Sequence, residues 1–357
     1  MKNMGHYRVC LVGCGRIAQR HAEIIAKNKI TNLTLVGVCD LDSNKAKYLG
    51  EKYNVNSYVD MDLMIQKENP DIISILNESG NHAKTLFQLA KYKKHFIVEK
   101  PMALKIDDAE KMISVCRENG VFLFVVKQNR FNLPIIELKK AIDNKKFGRI
   151  HLGTIRLRWK RDNEYYKQAS WRGTWLMDGG VLLNQASHHV DMLQWIMGEV
   201  KTVQSINKTF LVNSETPDTS ISILEFKSGA LGIIEATNAT RPKDLEGSIS
   251  ILGEYGTVEV GGFAMNRIKT WDFSNEEEKT KDYFNKFSDN PPDVYGFGHI
   301  SFYESVIRSL KKNQMVSVDG DDGLKTLKLL HAIHCANSSG LKLNFDENPI
   351  FDKLGNL

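Results

Sequence analysis

The stretch VCLVGCGRIAQRH, Val9–His21, joins an apolar run to a glycine-rich turn and a helical pattern. Its first four residues predict a buried strand, and a helix is expected to begin at Arg16. Small residues at 13, 15 and 18 would give a tight turn, room for a pyrophosphate at the backbone N–H groups, and close packing of helix on strand. This order indicates a dinucleotide-binding unit. The turn residues expected at the dinucleotide are Gly13, Cys14, Gly15, Arg16 and Ile17.

An acidic residue ends the next apolar run. The run LTLVGVCD, Leu33–Asp40, places Asp40 22 residues after Ala18. A carboxylate there would accept hydrogen bonds from the adenosine ribose hydroxyls, and it would repel a 2′-phosphate. The pattern therefore predicts NAD, rather than NADP, as the cofactor. An ordinary acidic residue at a strand end is the alternative interpretation.

Further apolar runs alternate with helical patterns in the first third of the chain. Strands are predicted at 71–76, 95–101 and 121–126, with helices between them. Such alternation is typical of an α/β fold with a doubly wound parallel sheet, in which ligands bind at the carboxyl ends of the strands. Lys100 lies at one such end. Because Pro101 restricts its backbone, the pattern favours a placed functional residue over a solvated lysine.

The sequence pattern changes after Phe131, where short β-type runs follow one another. Strands in succession predict an α+β domain with a mostly antiparallel sheet. A chain of 357 residues exceeds the usual size of one core. We therefore expect an NAD-binding Rossmann domain over 1–126 and a substrate-binding and oligomerisation domain over 127–357. The charged stretch from Trp271 to Pro292 is predicted to be a surface loop.

A cationic and aromatic cluster occupies Arg156–Gly198, with the sequence RLRWKRDNEYYKQASWRGTWLMDGGVLLNQASHHVDMLQWIMG. Guanidinium groups bind phosphate or carboxylate and aromatic rings stack on bases, so the cluster suits an anionic ligand with a flat ring. Gly179 and Gly180 would let the backbone approach a ligand closely. A helical pattern follows, with His188 and Asp191 about one turn apart. A buried amphipathic helix after a polar loop is the plainer interpretation.

The composition argues against several classes of protein. Hydrophobic residues make up 42% and charged residues 25%, as in ordinary soluble proteins. No apolar run reaches the ~18–20 residues of a membrane span and the first residues lack a signal-peptide pattern, so we expect a cytoplasmic protein without a membrane partner. Five scattered cysteines without a C-x-x-C pair predict reduced thiols and no metal site. A net charge of +5 without a basic block gives no indication of nucleic-acid binding.

Three motifs together resemble those of the Gfo/Idh/MocA oxidoreductases: VGCGRIA in the glycine turn, EKP at 99–101, and GGVLLNQASHHVD from Gly179. Within that family, YYKQASWRGTW, VYGFGH and VDGDDGLKTLKLLHAIH are similar to the UDP-N-acetylglucosaminuronate 3-dehydrogenases of bacterial surface-sugar (O-antigen) biosynthesis. The resemblance covers essentially the whole chain. It implies a homodimer or homotetramer that uses NAD to oxidise the 3-hydroxyl of a UDP-sugar acid to a ketone.

The resemblance also implies roles for single residues. Lys100 would lie beside the nicotinamide and stabilise the developing alkoxide, and His188 would lie across the substrate and take the hydroxyl proton. The reverse assignment, with Lys100 as the base, stays open. Asn184 stands at a catalytic position where many relatives carry Asp, so a carboxylate is missing there. His189 faces another side of the helix and is expected to be structural.

The remaining expected site residues follow from their places in the matched segments. In SILNESGNH, at 74–82, Asn77 and Glu78 replace a Thr-Pro pair of the family motif, which weakens the role of that loop. Besides the glycine turn, the residues expected at the cofactor are Asp40, Asn77, Ser79, His82, Glu99, Lys100 and Gln128. Those expected at the substrate are Lys100, Asn129, Arg158, Lys160, Arg161, Tyr165, Tyr166, Trp171, Arg172, Asn184 and His188.

Two other functions stay open at this point. A dehydrogenase of a free sugar or of inositol would carry the same fold, and its cationic aromatic cluster would contact no nucleotide. A non-catalytic NAD-sensing regulator would also keep the fold, but the presence of both Lys100 and His188 argues against it.

Overall fold

The computed structural model describes residues 5–27, 30–262, 264–274, 280–288 and 296–356, and the chain forms two compact units. The first contains Met1–Lys127 and His299–Lys325, and the second contains Gln128–Gly298 and Thr326–Leu357. The sequence predicts domains over 1–126 and 127–357, so it places His299–Lys325 in the second domain, whereas in the structure this segment belongs to the first unit. The difference arises because this segment returns to the first sheet, where the N–H of Val125 donates to the carbonyl of Val318 at 3.1 Å.

Strands and helices alternate in the first part of the described chain, and strands dominate the middle. The strands are β1 (Tyr7–Val12), β2 (Leu33–Cys39), β3 (Asn56–Tyr58), β4 (Ile72–Ile75), β5 (His95–Val98), β6 (Leu123–Val125), β7 (Ile150–Arg158), β8 (Val200–Lys208), β9 (Thr219–Phe226), β10 (Leu231–Thr237), β11 (Glu246–Gly253), β12 (Gly256–Gly261), β13 (Arg267–Phe273) and β14 (Leu343–Asn344). The α-helices are α1 (Arg16–Ala26), α2 (Ser43–Tyr53), α3 (Met61–Glu68), α4 (His82–Leu89), α5 (Ile106–Glu118), α6 (Leu133–Asp143), α7 (Asn163–Lys167), α8 (Ser187–Met197), α9 (Thr280–Phe287), α10 (Gly298–Lys312) and α11 (Gly320–Ser339).

The first unit contains the doubly wound parallel sheet that the sequence predicts. Its strands lie in the order β3-β2-β1-β4-β5-β6, and every pair is parallel. All four residues of β4 are buried, which explains why this strand is an uninterrupted run of mainly apolar residues. The strand order reverses between β1 and β4. In sheets of this kind, ligands bind at that reversal, beyond the carboxyl ends of the strands.

The second unit contains a mixed sheet in the order β13-β12-β11-β7-β10-β9-β8-β14. Among its described strand pairs, β7 with β10 is parallel and the others are antiparallel, so the expected mostly antiparallel sheet is confirmed. Residues of β8, β9 and β10 alternate between a buried face and an exposed one. The exposed face carries the apolar residues Ile206, Ile221, Ile223, Leu231 and Ile233.

The stretch from Trp271 to Pro292 is not a surface loop in its described part. Trp271 belongs to β13 and is only 1% exposed, and its ring stacks on Tyr283 of α9 with 4.2 Å between centroids. The sequence predicts a loop here because most residues between these two aromatic residues are charged or polar. Residues 275–279 and 289–295, which include the first two residues of VYGFGH, lie outside the described ranges. In the described part of the chain, no helix combines the length and apolarity needed to cross a bilayer.

Candidate functional site

The glycine turn of the first unit is shaped for a ligand at the N-terminus of α1. Gly13 has a φ of +97°, and a Cβ built on it would lie 2.7 Å from the backbone nitrogen of Asn77. A Cβ on Gly15 would meet no atom within 4 Å. Packing therefore requires a glycine at 13, whereas the space at Gly15 lets a pyrophosphate approach the backbone N–H groups. Cys14 precedes Gly15 in the turn, and Arg16 and Ile17 are the first two residues of α1.

Asp40 follows β2 directly and lies beside the glycine turn. Its Oδ2 accepts a hydrogen bond from the N–H of Cys14 at 2.7 Å, and its Oδ1 accepts one from the N–H of Asp42 at 2.9 Å. These bonds hold the carboxylate where an adenosine ribose can donate to it and where a 2′-phosphate would be repelled. The turn and the carboxylate together fit NAD.

The ring of His82 faces a carbonyl oxygen in each of the loops after β4 and β5. Its Nδ1 lies 2.9 Å from the carbonyl oxygen of Pro101, and its Nε2 lies 3.1 Å from that of Asn77. Burial lowers the pKa of His82, so the ring is neutral near pH 7 and donates to only one of the two carbonyls. The imidazole thus bonds one of the two loops, and Asn77 is held by a separate bond from its Nδ2 to Thr85 at 2.9 Å. Ser79 is buried at the start of the intervening short helix.

Lys100 follows a buried network centred on Glu99. The Oε2 of Glu99 accepts the backbone N–H of Lys100 at 3.0 Å, and its Oε1 lies 3.0 Å from Nε2 of His21. Burial opposes ionisation of Glu99, but the hydrogen bond and charge of His21, with the charge of Lys100, outweigh it and lower the pKa. An ionised Glu99 requires His21 to donate through Nε2. Nδ1 of His21 lies 2.6 Å from the hydroxyl of Tyr303, which can bond this nitrogen as donor or as acceptor.

The same network contains a set of groups that could in principle hold a metal ion. Ligand atoms of His21, Glu99 and His299 lie within 4.8 Å of one another, and all three residues are buried. Both ring nitrogens of His21, however, already have hydrogen-bond partners in Glu99 and Tyr303. Because a ligating nitrogen needs a free lone pair, the geometry favours a hydrogen-bonded network over a metal site. His21 and Tyr303 were not expected at the site. His21 lies in the quoted glycine stretch, but its partner Tyr303 lies in a distant segment.

In the second unit, two glycines direct the chain into α8. Gly179 and Gly180 have φ values of +79° and +72°, and a Cβ on Gly180 would lie 2.7 Å from the side chain of Thr216. A π-helical turn, Val181–Gln185, follows, and such turns occur frequently at functional sites. Between residues 181 and 193, only Asn184 and His188 are partly exposed. Because they are four positions apart, these two side chains share one side of the helical segment.

The neighbours of His188 on α8 have structural roles. His189 is 2% exposed, and burial lowers its pKa to about 4. Neither of its ring nitrogens has a hydrogen-bond partner among the described residues, and its ring contacts Trp159 edge to face. Asp191 accepts two hydrogen bonds from Arg130, at 2.7 and 2.8 Å, and one from Thr326 at 2.8 Å. Asp191 is therefore a buried packing anchor, although it lies one turn from His188.

Two guanidinium groups lie close to the ring of Tyr165. The Cζ atom of Arg172 lies 4.1 Å from the ring centroid and that of Arg161 lies 5.3 Å from it. Nε2 of Gln185 donates to the hydroxyl of Tyr165 at 3.2 Å, and Oε1 of Gln185 accepts from Asn238 at 2.9 Å. The pair Asn184-Gln185 thus connects the cationic aromatic cluster to the start of α8. Tyr165, Arg161 and Arg172 are all partly exposed, so a ligand can reach them.

Arg161 pairs with Asp244 at 3.3 Å, and the other expected substrate residues have protein partners as well. Arg158 donates to both carboxylate oxygens of Glu235, at 2.6 and 2.8 Å, and the side chain of Lys160 lies 3.1 Å from that of Asp162. Tyr166 is 8% exposed, and its hydroxyl accepts from Asn238 at 3.1 Å. Trp171 is partly exposed, and its ring centroid lies 5.6 Å from Cζ of Arg172.

Gln128 and Asn129 are buried in a short helix after β6. Oε1 of Gln128 has no hydrogen-bond partner among the described residues. An unpaired buried amide oxygen is costly, so it fits a place that a ligand donor completes.

Comparison with known proteins identifies the family. Residues 7–127 match the oxidoreductase family NAD-binding Rossmann fold, and residues 139–345 match the oxidoreductase family C-terminal alpha/beta domain. The chain belongs to the Gfo/Idh/MocA oxidoreductases. It is 28% identical to the myo-inositol 2-dehydrogenase of Thermotoga maritima over 334 residues, which cover 91% of this chain and 94% of the relative.

Solved structures include relatives of higher identity. The WlbA dehydrogenase from Bordetella pertussis, in complex with NADH and UDP-GlcNAcA, is 39% identical with a TM-score of 0.90, covering 95% of this chain and 98% of that one. The WlbA dehydrogenase from Chromobacterium violaceum, with the same two ligands, is 37% identical with a TM-score of 0.88, covering 96% and 97%. The chain is thus an NAD-dependent sugar dehydrogenase of the Gfo/Idh/MocA family.

Proposed function

We propose that this dehydrogenase oxidises the 3-hydroxyl of UDP-N-acetylglucosaminuronate, a UDP-sugar acid, to the 3-keto sugar of surface polysaccharide biosynthesis. The observation that carries the proposal is the partly exposed Tyr165 ring, with the Cζ atoms of Arg172 and Arg161 at 4.1 and 5.3 Å from its centroid. An aromatic ring can stack on a base, and the guanidinium of Arg172, which donates to neutral oxygens of Tyr165 and Gln168, supplies a positive charge that a neutral sugar does not require. The bound UDP-GlcNAcA in two relatives of this chain supports the same substrate class.

In this proposal the protein places the sugar and handles the proton. NAD, when bound, supplies the acceptor for the hydride that leaves C3. His188 accepts the proton of the 3-hydroxyl, and Lys100 stabilises the negative charge that develops on the oxygen. The products are the ketone, NADH and one proton. Lys100 as the base, with His188 as the stabilising donor, is the alternative assignment.

The main competing function is oxidation of a free sugar or of inositol, because the myo-inositol dehydrogenase of Thermotoga maritima is also similar over almost the whole chain. A substrate panel separates the two. We expect NADH to form with the UDP-linked uronate and far more slowly with neutral UDP-sugars, free sugars and inositol. Thermal shift with the same ligands should show the largest rise in melting temperature for the uronate, since ligands stabilise the state they bind. Turnover of inositol without turnover of any UDP-sugar would contradict the proposal.

We further propose that the protein is a homodimer or homotetramer formed through the open face of the second sheet. Ile206, Ile221 and Ile223 on this face are 66%, 53% and 55% exposed, and exposed apolar surface of this kind marks interfaces. Sedimentation of an Ile221→Glu/Ile223→Glu variant should show dissociation. The control is Leu41→Glu, at an apolar residue of the first unit that is 94% exposed and outside the sheet. Dissociation by neither variant, or by both, would contradict this interface.

A further inference from the structure

A buried carboxylate, Asp178, contacts Asn184 in the second unit. Asp178 is 1% exposed, and its Oδ2 accepts the N–H of Gly173 at 2.7 Å. Its Oδ1 accepts a hydrogen bond from Nδ2 of Asn184. The left-handed backbone at Gly179 and Gly180 turns the chain after Asp178, and the π-helical turn that follows carries Asn184 back to the carboxylate.

This contact determines which way the amide of Asn184 faces. A carboxylate only accepts hydrogen bonds, whereas an amide donates through its NH₂ group and accepts through its oxygen. Nδ2 must therefore face Asp178, and Oδ1 must face the opposite way. The reversed amide would place Oδ1 against a carboxylate oxygen in a buried environment, which removes a hydrogen bond and opposes two acceptors.

Asn184 shares its partly exposed side with His188, so the orientation of its amide has a chemical consequence. We propose that Asp178 is a positioning residue, which holds Asn184 so that this side presents a hydrogen-bond acceptor instead of a mixture of acceptor and donor. The proposal rests on the proposed role of Asn184 and His188 in sugar oxidation. The sequence pattern around position 184 does not reveal this carboxyl group.

Two readouts distinguish positioning from simple structural support. An Asp178→Asn variant keeps the size of the side chain but lets the amide of Asn184 take either orientation, so kcat should fall by on the order of tenfold to a hundredfold, as for a misplaced catalytic group. The variant also removes the carboxylate that bonds Asn184, which stands four positions before His188. Because a nearby anion favours the protonated imidazole, its loss should move the acid limb of the rate profile to lower pH. NADH binding, measured by fluorescence, should be unchanged.

An exchange of the two side chains provides the sharpest test. Asn184→Asp alone puts two carboxylates in contact and should lose activity, because like charges disfavour ionisation of both. The double variant Asp178→Asn/Asn184→Asp restores one carboxylate and one amide, and it should recover activity relative to either single variant. Ser205→Ala serves as the control, because it removes a buried hydroxyl that bonds Ser222 at 2.9 Å between β8 and β9. It should lower the melting temperature without moving the pH profile.

The assays use whichever sugar of a panel of UDP-uronates, neutral UDP-sugars, free sugars and inositol the wild type oxidises. Asp178→Asn with the wild-type kcat and acid limb would overturn the proposal, as would a double variant no more active than the weaker single one. If Asp178→Asn does not fold, the double variant decides. A wild type that oxidises inositol but no UDP-uronate would refute the proposed substrate and leave the variants readable on inositol. A wild type that oxidises none of them would refute both proposals.

Discussion

Lys100 in the first unit and Asn184 in the second both lie next to a buried carboxylate, but the two carboxylates hold different parts of the residue. Glu99 directly precedes Lys100 and accepts its backbone N–H at 3.0 Å. Asp178 stands six residues before Asn184 and accepts its side-chain N–H. The first arrangement fixes the main chain at the end of a strand, and the second fixes the orientation of an amide. The support of Lys100 by Glu99 can be recognised from the short motif EKP. The support of Asn184 by Asp178 cannot, because it depends on how the chain folds back after a glycine turn.

The largest expected effect is a loss of turnover when the lysine that Glu99 supports, Lys100, is replaced. Lys100→Ala keeps the backbone N–H that bonds Glu99 and does not alter the glycine turn, so NADH should still bind. Turnover should fall by on the order of a hundredfold or more, because loss of one well-placed donor to a developing oxyanion has that cost. Steady-state rates together with NADH fluorescence titration measure both quantities. Near-normal turnover would show that the EKP lysine has no catalytic role in this chain.

A smaller effect is expected on substrate affinity, which we assign to the second unit. Arg172→Met removes one guanidinium from the ring of Tyr165 and should raise KM for a UDP-uronate by roughly tenfold or more, since hydrogen bonds to charged groups contribute about 1.5–3 kcal/mol. The preference for the uronate over the neutral UDP-sugar should fall with it. Lys167→Met is the matched control, because Lys167 is an exposed cation on α7 paired with Glu164 at 3.0 Å. An equal KM change in both variants would indicate a general charge effect.

Cofactor choice should depend on the first unit alone. Asp40→Ala removes the carboxylate beside Cys14, so affinity for NAD should fall and discrimination against NADP should weaken. Titration of both cofactors into wild type and variant measures the ratio of the two dissociation constants. Wild-type affinity for NADP equal to that for NAD would contradict the role of Asp40.

The smallest expected effect concerns the stability of the second unit in acid, through its buried histidine His189. The pKa of His189 in the second unit is about 4 in the folded chain, below its usual value of 6.5. Between these values the unfolded chain binds a proton that the native chain does not, so stability falls as pH drops from 6.5 towards 4, by up to about 3 kcal/mol. His189→Phe should lose less stability than the wild type between pH 7 and pH 5 in urea unfolding. Parallel losses would show that His189 does not contribute.

Much of the fold follows from sequence patterns, because local rules specify it. The glycine turn after β1, the acid after β2 and the apolar runs predict the first sheet, and successive β-type runs predict the second. The return of His299–Lys325 to the first unit has no local signal, since it depends on pairing between Val125 and Val318 across a long stretch of chain. The burial of Trp271 is hidden by the charged residues that separate it from Tyr283.

The residues of the candidate site also fall into those that the sequence indicates and those that only the structure reveals. Asp40, Lys100, Asn184 and His188 can be chosen from motifs, because each stands at a strand end or on one side of a helical turn. Arg158 has the residue type of an anion ligand, yet its side chain bonds Glu235 of β10, a strand that follows β7 only after a long stretch of chain. Asp178, His21 and Tyr303 act through contacts between separate segments, so composition and spacing do not indicate them.

The most direct test of the proposed reaction follows the hydrogen at C3. UDP-N-acetylglucosaminuronate labelled with deuterium at C3 would be incubated with the wild-type enzyme and NAD, and both products would be analysed by mass spectrometry. We expect the deuterium in the NADH and a 3-keto sugar without the label. NADH that forms without deuterium, or no NADH from this substrate while another sugar is oxidised, would contradict the account.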